Sequence, residues 1–185
     1  MNKTEALDIV KKYVKNPGLI KHMLAVGAAM RAYAKIYQEN EDKWEIVGIL
    51  HDFDWEIHPD MERHPIEGSK ILRELGVSEE IIRAIMSHAK YTGVSRETKM
   101  EKALFAVDEL TGLITACALV RPNKKLTEVD VDSVKGKWNK SGFAAGVNRE
   151  DIESGASELG VELDEHIKTV LEAMQGIAKE LGLAG

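Results

Sequence analysis

Cysteine is almost absent from this 185-residue chain: Cys117 stands alone, so neither a disulfide framework nor a cysteine-based zinc ribbon holds it together. It lies in the apolar stretch GLITACALV and reads as a small core residue. Aromatic residues make up only 5% of the sequence, while Ala, Leu, Glu, Lys and Ile dominate, which favours helices over a β-sandwich. Positive charge is scarce too. With 25 Lys and Arg against 31 Asp and Glu, the formal net charge is -6, whereas coating a nucleic-acid backbone needs clustered cations. The longest apolar run, 112–120, has about half the residues a bilayer span requires, so no membrane partner is expected. The N-terminal MNKTEALDIVKKYV is amphipathic and has no secretory apolar core, which makes a cytoplasmic location the expectation. What remains is 44% hydrophobic and 30% charged, enough for one domain over 1–185 to bury a core without crosslinks.

The apolar spacing is helical almost throughout. Ala6, Leu7, Val10 and Val14 recur at a helix period. Asn16-Pro17 restarts the chain, Asn suiting the N-cap and Pro the first helical position; this second helix should run to about residue 39. Asp42 with Glu45 has the form of a capping box and opens a third helix that delivers His51-Asp52 at its end. Residues 53–64 lack an apolar period and contain Pro59, so they read as a loop. Pro65 starts IEGSKILREL, closed by Gly76, and Ser78 caps EEIIRAIMSHA. Thr98 and Glu101 form another capping box before KALFAVDELTGLITACALV, which Pro122 ends. The stretch from 121 to 148 is basic and irregular. Asn148 should cap a helix over 149–159, and an amphipathic helix should cover about 163–182. With no strand-like alternation and no internal repeat, the expected fold class is all-α, a single-domain helical bundle.

Ionisable groups inside apolar helical stretches are the informative residues, because an unpartnered buried charge is very unfavourable. His22 stands in GLIKHMLAVGAAM, His51 follows IVGIL, and His88 closes IIRAIMSHA. In LFAVDELTG, periodicity does not separate Asp108 from Glu109, and one of the two should be exposed. A single histidine on such a face is usually a hydrogen-bonded core residue. The ordered set His22, His51-Asp52, His64, His88 and Asp108 is a different matter, since imidazole and carboxylate are the ligands that Mn, Fe, Co, Ni or Zn accept.

In the order H … HD … D, carried by His22, His51-Asp52 and Asp108, the chain resembles the HD-domain superfamily of metal-dependent phosphohydrolases. HPIEGSKIL and IMSHAKYTG resemble the extra histidine segments of its HDIG-type subgroup, supplying His64 and His88. The resemblance covers roughly 20–120, leaving 121–185 as a C-terminal helical extension. It implies that the final D is Asp108 and not Glu109. Two departures stand out. HDFD replaces HDIG, with Phe53 and Asp54 for the Ile-Gly pair, and Trp55 and Glu56 occupy the neighbourhood where many relatives carry a phosphate-contacting lysine. The segment after His88 also lacks the paired histidines and the GYP of the cyclic-di-GMP phosphodiesterase branch.

The resemblance implies one divalent ion (Mn, Fe, Co, Ni, Zn or Mg) on His22, His51, Asp52 and Asp108. If His64 and His88 converge as well, Asp52 would bridge to a second ion. The implied chemistry is hydrolysis of a small phosphate ester, a nucleotide being one candidate, by metal-activated water. Asp52 is then a catalytic candidate together with Lys90 and Arg121, which would meet the phosphate; Lys124, Lys125, Lys135, Lys137, Lys140 and Arg149 are further cations in reach of sequence argument. KSGFAAGVNRED ends at an expected helix N-terminus, a place suited to anions. His58 and His166 are left outside the site, the first in an acidic loop and the second among Asp164 and Glu165. The competing reading is a non-catalytic module with a structural metal or a regulatory nucleotide pocket, and a homodimer is compatible with either.

Overall fold

The computed structural model describes residues 1–140 and 142–185, and no strand occurs among them. Short polar side chains cut the chain into helices. Asn2, Asn16, Asn40, Thr98, Asp130 and Asn148 each stand at an N-cap and accept a backbone N–H from the first turn. They open α1 (Lys3–Tyr13), α2 (Pro17–Tyr37), α3 (Glu41–Leu50), α6 (Lys99–Leu119), α7 (Val131–Trp138) and α8 (Arg149–Leu159). Between them lie α4 (Ile66–Glu74) and α5 (Glu79–His88); α9 (Leu163–Gly176) and α10 (Ala178–Leu181) complete the chain.

Three boundaries differ from expectation. Asn40, not Asp42, caps α3 through its bond to Lys43 N–H, and Asp42 instead pairs with Arg31. The 121–148 stretch contains α7, which Asp130 and Ser133 start with a reciprocal cap. The last helix breaks at Ile177, where the backbone leaves helical geometry. Ser78 holds the N-cap position of α5 but makes no side-chain bond there.

The two longest helices, α2 and α6, pack on each other and organise the rest. Helix α3 lies along α2 with α1 over it, α8 lies along α6, and α9 spans both long helices. One buried apolar cluster runs from Ala6 in α1 to Leu183 after α10 and includes Met30, Tyr33, Phe53, Leu104 and Leu110. Each such fully buried side chain contributes roughly 1.5–3 kcal/mol. The α2–α3 crossing depends on an absent side chain. A Cβ on Gly48 would lie 2.6 Å from both Cα and N of Gly27, so the two backbones can approach this closely only with glycine at the contact. No helix among the described residues is long and apolar enough to cross a membrane.

Candidate metal centre

The α2–α3 crossing sets His22 and His51 side by side, their ring centroids 5.1 Å apart. From α6, Asp108 faces both: its Oδ1 lies 3.0 Å from His22 Nε2 and 3.4 Å from His51 Nε2. Asp52, one residue past His51, points its two oxygens in different directions. Oδ2 faces His51 Nε2 at 3.5 Å and His22 Nε2 at 3.7 Å, while Oδ1 faces His64 Nε2 at 3.3 Å and His88 Nε2 at 3.7 Å. The side chains fall into two trios able to hold an ion, His22–His51–Asp108 and Asp52–His64–His88, whose ligand atoms lie within 4.8 Å of one another. Ligands about 2.0–2.1 Å from a common ion stand about 3–3.4 Å apart, so these separations need little adjustment.

The opposite edge of each imidazole explains the orientation. Nδ1 of His51 faces the Gly48 carbonyl at 2.8 Å, Nδ1 of His88 the Ile85 carbonyl, and Nδ1 of His64 the Asp54 carboxylate at 2.8 Å. Nδ1 of His22 meets the Thr111 hydroxyl at 3.3 Å, and that hydroxyl donates to the Asp108 carbonyl. Carbonyl and carboxylate oxygens only accept, so Nδ1 of His51, His64 and His88 carries the proton. In the neutral ring the Nε2 lone pair then turns inward. His51 Nε2 is buried with no hydrogen-bond partner, although its residue is fully enclosed. An enclosed acceptor aimed at two carboxylates fits a cation in that space.

The electrostatics point the same way. Burial opposes protonation of His51, yet Asp52 and Asp108 push its pKa up to about 9. Burial likewise opposes His64, and Asp52 with Asp54 push it up to about 9. Burial would raise the carboxyls of Asp52 and Asp108, but the surrounding imidazoles together outweigh it, His51 and His22 for both and His64 also for Asp52, and both stay below the usual carboxylate range. Burial and the neighbouring His51 push His88 down. Carboxylates in this number therefore demand positive charge at the centre, from protons or from metal.

Around the cluster lies a cavity of about 430 Å³ lined by Trp55, Lys90, Tyr91, Phe105, Glu109 and Asp151 besides the ligand candidates. Glu109 is not exposed as the sequence reading required of one member of the pair: it lines the cavity next to Asp108 and accepts the Asn148 N–H at 3.1 Å. Burial and Asp108 push its pKa up to about 7. Lys90 reaches the cavity, but its ammonium pairs with Asp151 in the first turn of α8.

Arg121 does not reach the centre. It donates to Ser133 in a separate depression formed with α7, so its assignment to the phosphate is withdrawn. Lys135 pairs with Asp164 and Arg149 donates to the carbonyls of Ala144 and Val147. The N-terminus of α8 borders the cavity, yet its cap donor already serves Glu109; Ser141, in the glycine-rich stretch before it, lies outside the described residues. Glu56 turns away and accepts the N–H groups of Lys15 and Asn16, each at 2.9 Å, fixing the entry to α2. His58 is partly buried, does not line the cavity, and has a buried Nδ1 without a hydrogen-bond partner. His166, left outside the site, is fully buried in the core and bonded to Tyr33 and Ala106. Residue spacing flags Glu109 only as the alternative to Asp108 and signals none of Asp151, Trp55 or Tyr91, since each of these enters the cavity from a different element.

Compared with known families, the HD domain model matches residues 19–113, just over half of the chain. No solved structure matches.

Proposed function

The chain belongs to the HD-domain family of metal-dependent phosphohydrolases, and from that premise we propose that it hydrolyses a small phosphate ester at a centre built by His22, His51, Asp52, His64, His88 and Asp108. The observation that carries this reading is Asp52, whose two oxygens face different pairs of imidazoles, so that the six side chains together would hold two divalent ions. A divalent ion held there would supply Lewis acidity, lowering the pKa of water and drawing charge from a phosphoryl group.

The chain's own residues do the rest. His22, His51, His64 and His88 present Nε2 inward and are held by their Nδ1 partners, so the rings need little reorientation when the centre fills. Trp55 and Tyr91 flank the opening and offer flat apolar faces to the organic part of the ester. Glu109 can hold a proton near neutrality and is assigned the leaving oxygen. Lys90 is the only Lys or Arg among the described lining residues, and it is already paired. Neutralising the phosphate would thus fall to the metal rather than to side-chain cations.

Full-length protein loaded with Mn, Co or Ni and offered nucleotides and an aryl phosphate tests the reading. Turnover is expected, and Asp52→Ala should abolish turnover and metal content together. Bound metal without turnover on any of these compounds would turn the reading into that of a non-catalytic module. Less than about a tenth of an equivalent of metal on the wild type would remove the metal centre itself.

A further inference from the structure

The departure at Phe53-Asp54 has a structural counterpart. Phe53 enters the core edge-on to Tyr13, with ring centroids 5.5 Å apart. Asp54 is 0% exposed, the most enclosed carboxylate among the described residues. Burying a carboxylate costs much unless it is hydrogen-bonded, and Asp54 has two donors. His64 Nδ1–H lies at 2.8 Å from Oδ1, and the backbone N–H of Gly68, in the first turn of α4, lies at 3.0 Å from Oδ2. Gly68 closes the cradle: a Cβ there would sit 2.5 Å from Oδ2 and 2.8 Å from Oδ1.

His64 needs this partner for a reason of chain geometry. His51 and His88 each end a helix and use the carbonyl three residues earlier, from Gly48 and Ile85. His64 lies in the irregular turn before α4, where no helix carbonyl is offered to its ring. The acceptor comes from ten residues back. The HDIG motif carries glycine at that place, and glycine has no side chain to accept a hydrogen bond.

We propose that Asp54 is a positioning residue of the metal centre. It fixes the ring and tautomer of His64 so that Nε2 faces Asp52 Oδ1 and His88 Nε2, and it thereby builds the Asp52–His64–His88 half of the site. The inference rests on the metal reading above. It also separates the two halves: the His22–His51–Asp108 trio is oriented by Thr111 and Gly48, neither of which touches Asp54.

Cobalt(II) titration of the metal-free full chain, read by visible absorption and by elemental content after dialysis, tests it. The wild type should take up two equivalents. Asp54→Asn keeps the size and removes the charge; it should leave the first equivalent unchanged and weaken the second about 10–100-fold. Gly68→Ala should do the same with no change of charge, because its methyl displaces the Asp54 carboxylate. As alanine favours a helix over glycine, this variant carries the test if Asp54→Asn does not fold. Circular dichroism melts establish that each variant is folded. Second-equivalent affinity equal to the wild type in both folded variants overturns the proposal. So does equal weakening of both equivalents, or a wild type that binds a single equivalent that neither variant affects. A wild type that takes up no cobalt overturns the metal reading instead.

Discussion

Two regions of this molecule bury histidine, and they do so in opposite ways. His166 in α9 has both ring nitrogens satisfied, by the Tyr33 hydroxyl at 2.5 Å and the Ala106 carbonyl at 2.9 Å. Burial pushes its pKa down to about 4, so it is a neutral peg joining α9 to α2 and α6. The four histidines of the centre are tied to the fold through one ring edge and turn the other toward a shared space, where His64 Nε2 and His88 Nε2 lie 3.4 Å apart. Their Nδ1 edges are tied, and their Nε2 edges converge on Asp52 and Asp108, with His51 Nε2 left without a partner. Burial alone therefore does not distinguish a structural histidine from a functional one. The distinguishing mark is whether the ring nitrogens converge on carboxylates, as those of the centre do and the unpartnered Nδ1 of His58 does not.

His51→Ala should give the largest effect. Metal affinity is expected to fall at least about 100-fold, and turnover with it, while the metal-free chain loses less than about 1 kcal/mol. His166→Ala should do the reverse. It breaks the ring's bonds to the Tyr33 hydroxyl and the Ala106 carbonyl, empties a fully buried site and costs about 2–4 kcal/mol, with metal stoichiometry unchanged. Urea unfolding beside elemental analysis checks both, and equal metal loss in the two variants would break the contrast.

A pH series sharpens it further. The unfolded His166 binds a proton below its ordinary value of 6.5, the folded one only below about 4. Between those values the unfolded state holds more protons. The stabilisation is complete above about pH 6.5 and is lost as the pH falls toward 4, up to about 3 kcal/mol. In His166→Gln that part of the pH dependence should vanish, which urea midpoints of the two proteins between pH 7 and 4.5 would reveal. The smallest effect belongs to Lys90→Ala. Paired with Asp151 and half exposed, it should raise KM by no more than about tenfold and leave metal content alone, as steady-state kinetics would measure.

Much of this was legible before any coordinates. Asn16-Pro17, Thr98 with Glu101 and Asn148 open helices because their chemistry is local: a side-chain oxygen meets an N–H two or three residues on. The helix α7 was not, since its only buried residue is Val134 and its lysines mask the period. The 53–64 turn read as a solvated loop because it lacks periodicity, yet Phe53 and Asp54 are wholly enclosed. A turn can be core without any repeat. Asp108 and Glu109 both face the cavity because α8 closes over the second residue, a long-range fact that no helical wheel contains. Arg121 failed similarly: adjacency to the Asp108 helix in sequence is not adjacency to its open face.

Gly48 joins these threads. Its missing side chain lets α2 touch α3, and its carbonyl accepts the hydrogen bond from His51 Nδ1–H. One residue thus acts as both spacer and anchor, and the distance between His22 and His51 is gauged by backbone rather than by side-chain packing. Backbone contact cannot be retuned by small compensating substitutions nearby. The surface of this chain is free to drift, and even its core can be refilled, but the gap between the first two imidazoles can change only if the helices themselves come apart.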